Sequence, residues 1–235
     1  MNRLFTSIVY MFACFCIQSC KKESPNQAPI NNPPAAPVPV QAAASYKIII
    51  TGTWMSPQHT IPANQHFTSF VGMVHNASSH IFKLNQQASL GVENIAEIGN
   101  SAALNTEMDG YILDGKALNK FSVAIPGITA KDSVSINVTY QNSLISFESM
   151  IAPSPDWFAG LDSYNLIQNG KWVTDITVNV SGYDAGTEDG NIFGYNNPAT
   201  VPQQNISFLT AAGASVIANG NISIAPFATV RFIKL

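Results

Sequence analysis

Cysteine is confined to the first 20 residues of this 235-residue chain. Cys14, Cys16 and Cys20 are its three cysteines, so the rest of the sequence contains no thiol. Disulfide bonds and cysteine-ligated zinc are therefore excluded beyond residue 20. About 190 residues follow position 44, and a domain of that size buries roughly 70% of the surface that its unfolded chain exposes. Such a domain needs no covalent or metal staple to fold.

Charge is also scarce. Charged residues make up only 11% of the chain, with 11 basic against 14 acidic residues. Proteins that bind nucleic acid carry a basic surface that neutralises phosphates. The slightly acidic balance provides no such surface, so no nucleic-acid partner is expected.

A hydrophobic run long enough to span a bilayer is lacking as well. The apolar stretch 4–15 follows Arg3 and is shorter than the about 20 residues that a membrane-spanning helix needs. A short apolar run behind a basic residue is typical of an export signal that is removed from the mature protein. We predict a signal peptide over residues 1–19, with a retained anchor helix as the alternative.

The end of this segment, Ile17-Gln18-Ser19-Cys20, resembles a bacterial lipobox. The resemblance implies cleavage before Cys20 and acylation of that cysteine, and each buried methylene of a lipid chain adds ~0.8 kcal/mol to membrane binding. Lys21 gives no sign of inner-membrane retention, so attachment to the outer membrane is expected, with its periplasmic and surface faces both left open. Residues 20–44 carry six prolines and no apolar periodicity, which predicts an unstructured tether.

Residues 45–235 have the pattern of one β-rich domain. Several short runs are rich in β-branched and aromatic residues and partly alternate polar with apolar, as half-buried strands do: 46–54, 133–140, 144–147, 173–180 and 228–233. Only 87–99 has helical spacing, with Leu90, Ile95 and Ile98 on one side and Gly99 as a stop. We predict an all-β antiparallel sandwich with one short helix, and a closed barrel as the alternative.

Acidic residues gather in two glycine- and proline-rich segments. Asp156 lies in the segment 153–160, and Asp184, Glu188 and Asp189 lie in 183–190. Crowded carboxylates become favourable when a hard cation such as calcium neutralises them, but acidic residues also favour solvated turns. The second segment is not an EF-hand, because Tyr195 stands where the bidentate glutamate is required. From the residues alone, both interpretations stay open.

Short motifs along the chain resemble the spondin N-terminal domain: Thr53-Trp54, His66-Phe67, Ala96-Glu97-Ile98-Gly99, Pro153-Ser154-Pro155-Asp156-Trp157, Trp172 and Asp184-Ala185-Gly186-Thr187. The resemblance implies a C2-like β-sandwich that binds Ca²⁺ and serves extracellular attachment. It implies Asp156, Asp184 and Glu188 as the metal ligands, with Glu188 at a position where aspartate is usual. Asp189 and Asp162 are further candidates.

The function that we expect is a lipid-anchored, non-enzymatic binding or adhesion module for a protein or glycan ligand. Neither an HExxH zinc motif nor a Gly-x-Ser-x-Gly elbow is present. Calcium-dependent docking onto phospholipid is one alternative, because the second acidic segment is accompanied by Tyr183, Ile192, Phe193 and Tyr195. The other is a carbohydrate-active enzyme with Asp156 and Asp184 as its carboxylate pair and nearby tryptophans stacking on sugar.

Overall fold

A computed structural model of the chain describes residues 42–209 and 225–235, together with the backbone of 217–218 and 221–222. The predicted signal peptide, Cys20 and nearly all of the predicted tether lie outside the described residues. The elements follow each other in the order β1 (Ala43–Gly52), β2 (His66–Phe67), β3 (Phe70–His75), α1 (Leu90–Ile98), α2 (Ala102–Leu113), β4 (Ala117–Val123), β5 (Lys131–Thr139), β6 (Leu144–Ala152), β7 (Trp157–Asn165), β8 (Ile167–Gln168), β9 (Lys171–Trp172), β10 (Asp175–Asp184), β11 (Ser207–Phe208), β12 (Ile217–Ala218), β13 (Asn221–Ile222) and β14 (Ala228–Lys234).

The main sheet is antiparallel and runs in the order β4-β3-β6-β7-β10-β14-β1-β5. Strand β10 belongs to both halves of it, because residues 175–180 pair with β14 and residues 181–184 pair with β7. The end strands β4 and β5 approach each other, and the Asn119 side chain donates to the Asn137 carbonyl at 3.0 Å. The sheet is thus nearly closed, and the predicted all-β antiparallel class is confirmed.

The first of two hydrophobic cores lies between the halves of this sheet. Ile48 and Val230 come from one half, Phe70 and Phe147 come from the other, and all four are fully buried. Strands β1 and β14 alternate because only one of their faces is covered, as their burial patterns show. The predicted strands 46–54, 133–140 and 228–233 therefore match β1, β5 and β14 to within three residues at each end.

The second core lies between the other face of β3, β6 and β7 and the two helices. Val71 and Met73 of β3 meet Val92 and Ile95 of α1 and Leu104 of α2 there. All six residues of β3 are buried, so the strand has apolar neighbours on both faces and shows no alternation. The strands of this half are the ones that the sequence pattern predicts least well.

The predicted helix is confirmed as α1, with a different buried side. The Ser89 hydroxyl accepts from the Val92 backbone N–H at the first turn, and Gly99 ends the helix with φ +69°. Leu90 and Ile98, predicted to share the buried side with Ile95, are 62% and 68% exposed. Helix α2 was not predicted, because its only buried residues are Leu104 and Met108 and its other positions give no apolar stripe.

Within the described residues, no helix is both long enough and apolar enough to span a membrane.

Candidate carboxylate site

The strand pair β7–β10 brings the two acidic segments together. Trp157, the first residue of β7, pairs with Asp184, the last residue of β10. Asp156 directly precedes this pair, and its carbonyl accepts from the Ala185 N–H at 3.1 Å. Residues 156 and 184–188 consequently meet at one end of the sheet, although 28 positions separate the two segments in the sequence.

Asp156 is the buried centre of the site, with no exposed surface. Its Oδ2 accepts from the backbone N–H of Thr187 at 2.7 Å, from that of Glu188 at 3.1 Å and from the Thr187 hydroxyl at 3.3 Å. Its Oδ1 is buried and has no hydrogen-bond partner among the described residues. One carboxylate oxygen is thus saturated by the loop, and the other is left free to accept.

The loop after β10 owes its shape to Asp184 and Gly186. The Asp184 Oδ1 accepts from the Gly186 N–H at 2.9 Å, which closes a tight Asx turn. Gly186 has φ +73°, and a Cβ atom there would lie 2.7 Å from the Gln204 carbonyl oxygen. Only glycine fits such a position without strain. The next two N–H groups, those of Thr187 and Glu188, then point at Asp156.

Burial raises the pKa of each carboxylate of the site, and the charge of Asp156 adds to the rise in the others. Burial raises the pKa of Asp184 to about 6, and the charge of Asp156 adds to the rise. The Gly186 N–H and, more weakly, the Trp157 ring oppose it. Burial raises the pKa of Asp156 too, against the donors on Thr187 and Glu188. Burial is also the largest cause of the raised pKa of Glu188, and the charges of Glu97 and Asp156 raise it further.

Glu97 is a member of this group that sequence reasoning missed. It lies near the end of α1, where burial and the charges of Glu93 and Asp156 raise its pKa while the Thr187 side chain lowers it. A carboxylate near the C-terminal end of a helix faces the negative end of the helix dipole, so its position is unfavourable within the helix itself. That mismatch was the available signal in the sequence.

In the part of the chain that the structure describes, no lysine or arginine forms an ion pair with these four carboxylates. The ion pairs of the described residues involve Asp109, Asp114 and Asp175 instead. Among the same residues, no three His, Cys, Asp or Glu side chains converge closely enough to hold a metal ion as they stand. The donor set is nonetheless one that suits a hard cation, because it consists of carboxylate oxygens and includes one buried oxygen without a donor.

The aromatic residues around the site are packing residues. Trp157 and Phe158 are fully buried, and Trp172 is nearly so. Phe193 packs between Trp54 and Trp157, with its ring centroid 5.6 Å and 5.2 Å from theirs. It thereby anchors the loop of residues 190–199, here called the 190s loop, beside the site. Buried rings cannot stack on a sugar, so these residues do not provide the aromatic sugar-binding surface that the carbohydrate-active enzyme alternative requires.

Comparison with known proteins identifies the family. The family model Spondin_N matches residues 44–219, about three quarters of the chain. This chain belongs to the spondin N-terminal domain family. The predicted resemblance is therefore confirmed, and the site described above lies inside the matched spondin segment.

The relatives of this spondin domain include larger animal proteins. Spondin-2 of Rattus norvegicus is 32% identical over 206 residues, which cover 82% of this chain and 62% of that protein. Spondin-2 of Homo sapiens is 32% identical over 212 residues, covering 83% and 62%. Spondin-1 of Gallus gallus is 27% identical over 201 residues, covering 82% and 25%. The chain thus spans about three fifths of Spondin-2 and a quarter of this Spondin-1.

Within the spondin domain, the remaining predicted residues have separate environments. Asp189 is exposed, and its Oδ1 accepts from the Thr200 hydroxyl at 2.6 Å, whereas its neighbour Glu188 lies within range of the Asp156 charge. Asp162 lies six residues beyond Asp156 on β7, about 20 Å along an extended strand, and accepts from Ser163. The structure brings Asp156, Asp184 and Glu188 together and leaves Asp162 apart from them. Cys20 lies outside the described residues.

Proposed function

We propose that this spondin domain is a calcium-binding, non-enzymatic binding or adhesion module of the cell exterior. The observation that carries the proposal is the free Oδ1 of Asp156, a fully buried carboxylate oxygen without a donor at the centre of an unneutralised acidic group. A buried, unpaired acceptor costs free energy until a partner satisfies it. A cation would satisfy it and would also remove the repulsion among the neighbouring carboxylates.

Asp156, Asp184 and Glu188 would hold the ion, with Glu97 of α1 as a fourth candidate. Calcium, with its positive charge, would supply the neutralisation that the protein itself lacks there, and it accepts oxygen ligands from flexible loops. The carboxylates around Asp156 must turn toward its free oxygen when the ion binds. The loop 184–188 and helix α1 would then be tied to β7, which orders this end of the domain for a partner.

The setting that we propose is a lipid anchor at Cys20 followed by the proline-rich tether, which would place the domain outside the cytoplasm on the bacterial outer membrane. The lipobox-like Ile17-Gln18-Ser19-Cys20 supports this placement. Membership of the spondin family supports export and attachment, although the relatives named above extend well beyond the segment that this chain matches. Metabolic labelling with a clickable fatty acid tests the anchor: wild type should incorporate label and Cys20→Ala should not.

Thermal unfolding of the purified protein with and without calcium tests the metal site. A ligand present at a hundredfold excess over its Kd stabilises the folded state by roughly 2.7 kcal/mol, which corresponds to a rise in Tm on the order of 5–10 °C for a domain of this size. Asp184→Asn should abolish the rise. Asp189→Asn is the matched control and should retain it, because Asp189 binds Thr200 instead. An unchanged Tm in the wild type at millimolar calcium would count against the site.

Docking onto phospholipid is a second candidate, which the exposed apolar residues of the 190s loop favour. Ile192 and Tyr195 are both more than half exposed and follow the carboxylates directly in sequence, and neighbouring exposed apolar side chains are typical of membrane or protein contact sites. Cosedimentation with phosphatidylserine-containing vesicles in calcium tests this function. Ile192→Ser with Tyr195→Ser should abolish binding, and Leu113→Ser, which removes an exposed leucine of α2, should not. Vesicle binding that is equally strong with and without calcium would contradict this candidate function.

If vesicles are not bound, a glycan array with and without calcium examines a carbohydrate ligand. Signals that depend on calcium and vanish in Asp184→Asn would assign a glycan to the site. Signals that persist in this variant would place glycan binding elsewhere on the domain.

A further inference from the structure

Glu148 is a fully buried carboxyl in the middle of β6, outside the acidic loops. It stands opposite Val71 on β3 and Gly160 on β7. Residues that pair directly across antiparallel strands point to the same face of the sheet. Since Val71 belongs to the second core, the Glu148 side chain points into the layer between the sheet and the helices.

Neither oxygen of Glu148 has a hydrogen-bond partner within the described part of the chain. Its neighbour on the same face, Ser146, is fully satisfied: its hydroxyl lies 2.8 Å from His75 Nε2 and accepts from the Ser163 N–H at 2.8 Å. The polar row on this face is therefore well paired except at Glu148. An ionised carboxylate without a partner is among the most costly groups to bury, so the side chain must be neutral for the layer to close.

The cover over Glu148 includes α1, which packs on β6 and β7, and α2, which packs on α1 and β4. Phe82, from the segment before α1, lies against Gly160, the residue opposite Glu148. Glu107 of α2 also holds the start of α1, because its carboxylate accepts from the Gly91 N–H at 2.8 Å and from the Ser89 hydroxyl at 2.7 Å. Burial raises the pKa of Glu148 well above its ordinary value, and the charge of Glu107 raises it further.

Titratable groups lie on every element packed around Glu148: Glu93 and Glu97 on α1, Glu107, Asp109 and Tyr111 on α2, His66 on β2, His75 on β3, Lys120 on β4, Asp162 and Tyr164 on β7, Tyr183 on β10, and His80 and Lys83 in the segment before α1. Of the two lysines, Lys120 pairs with Asp109 at 2.7 Å and Lys83 is exposed. Among the described residues, no lysine or arginine therefore forms an ion pair with Glu148.

We propose that Glu148 is a proton-controlled latch for the helical cover. While its carboxyl is neutral, α1 and α2 stay packed on the sheet. When it ionises, the charge draws water into the layer and the helices separate from β6 without unfolding the first core. Because α1 carries Glu97, opening would also move that carboxylate relative to Asp156. This last consequence rests on the proposed calcium site, whereas the opening of the cover does not.

The direction of the pH effect follows from the sign of the shift. In the unfolded or opened state, Glu148 loses its proton near the ordinary value of 4.5, whereas in the closed state it holds the proton to higher pH. The closed cover is therefore most stable below that value. The closing equilibrium constant falls by up to about tenfold per pH unit as the pH rises from there toward the raised pKa.

Hydrogen exchange of the purified protein, measured in a calcium chelator and corrected for the intrinsic rate at each pH, tests the latch. From about pH 6 to about pH 9, the protection factors of α1 and α2 should fall by up to about tenfold per pH unit, while those of β14 stay constant. Glu148→Gln should remove the fall, because the amide cannot ionise. Glu148→Met serves as a second neutral variant should the glutamine pack poorly, and Glu93→Gln, a half-exposed position on α1, should leave the fall intact.

Two results would overturn the latch: helix protection that does not depend on pH in the wild type, or a dependence that persists in both Glu148→Gln and Glu148→Met. Because the chelator removes calcium, neither result depends on whether the loop site binds metal. The coupling to Glu97 is tested separately by calcium titrations at the same pH values. An affinity that changes with pH equally in wild type and Glu148→Gln would exclude the coupling.

Discussion

Asp156 and Glu148 are both carboxylates with no exposed surface, but they differ in the number of hydrogen bonds that they accept. One oxygen of Asp156 receives three hydrogen bonds from the loop, two of them from backbone N–H groups, and the other receives none. Glu148 receives none on either oxygen from the described residues. Backbone donors favour the ionised form of a carboxyl. The surroundings of Asp156 therefore stabilise a negative charge, whereas those of Glu148 favour the neutral acid.

Burial alone does not determine the role of a carboxylate, because Asp156 and Glu148 are equally buried and differ in their hydrogen-bond donors. Asp156 sits at the sheet end, where loops supply donors and where Asp184 and Glu188 are only partly buried. Glu148 sits between strands whose backbone groups already pair with each other. If the proposed calcium site exists, the first would exchange a proton for a cation, whereas the second would hold or release only its proton. Removing each side chain should therefore change the free energy of unfolding in opposite directions.

The largest effect is expected from Asp156→Ala. The substitution leaves the N–H groups of Thr187 and Glu188 and the Thr187 hydroxyl without their shared acceptor, and buried donors without a partner are costly. We expect a loss of about 3 kcal/mol in the free energy of unfolding, measured by urea titration at neutral pH.

The control for this loss is Asp175→Ala, because Asp175 is an exposed strand residue that pairs with Arg231 at the surface. Its removal should cost far less, as is usual for exposed ion pairs. Equal losses in the two variants would mean that the contacts of Asp156 contribute nothing special.

Glu148→Met should have the opposite sign. Replacing a buried, unpaired acid by an apolar side chain of similar size is expected to stabilise the domain by about 2 kcal/mol at pH 8. The gain should shrink toward about pH 4.5, where Glu148 is protonated in the folded state and already half protonated in the unfolded state. Urea titrations of wild type and variant at the two pH values measure it. A variant less stable than wild type at pH 8 would contradict the contrast with Asp156.

The pH profile of Asp184 gives a smaller effect. Its pKa is raised from 3.8 to about 6, so the unfolded chain releases its proton first and stability falls as the pH rises from about 4 to about 6. Since the side chain is partly exposed, solvent screening limits the loss to roughly 1–2 kcal/mol. Tm measured across this window in a chelator should decline, and Asp184→Asn should decline less.

Calcium should reverse this decline in the wild type, because a bound cation favours the ionised carboxylate. A decline that calcium leaves unchanged would separate the acidic cluster from any metal function. Asp189→Asn is again the matched control and should behave as the wild type does.

The sequence pattern predicted strands well where one face is open to solvent and poorly where both are covered. Strands β1, β5 and β14 alternate and were predicted, whereas β3, buried at every position, was not. The placement of Asp156 and Asp184 in one loop site was implied by the family resemblance. That of Glu97 was not, because helix α1 reaches the site only through packing between the helices and β6, which no local pattern encodes.

Helix α1 lies over Glu148 and also carries Glu97, so it contacts both carboxylate regions. The smallest expected effect comes from removing its N-terminal cap. Ser89→Ala removes the hydroxyl that accepts from the Val92 N–H and donates to Glu107, and the loss of such a cap costs about 1 kcal/mol. Ser101 occupies the same position before α2 without a capping hydrogen bond to the backbone, so Ser101→Ala should cost less. If α1 links the two carboxylate regions, Ser89→Ala should also lower the helix protection measured by hydrogen exchange and weaken calcium binding, while Ser101→Ala should weaken neither. A loss of stability without either change would mean that the two regions act independently.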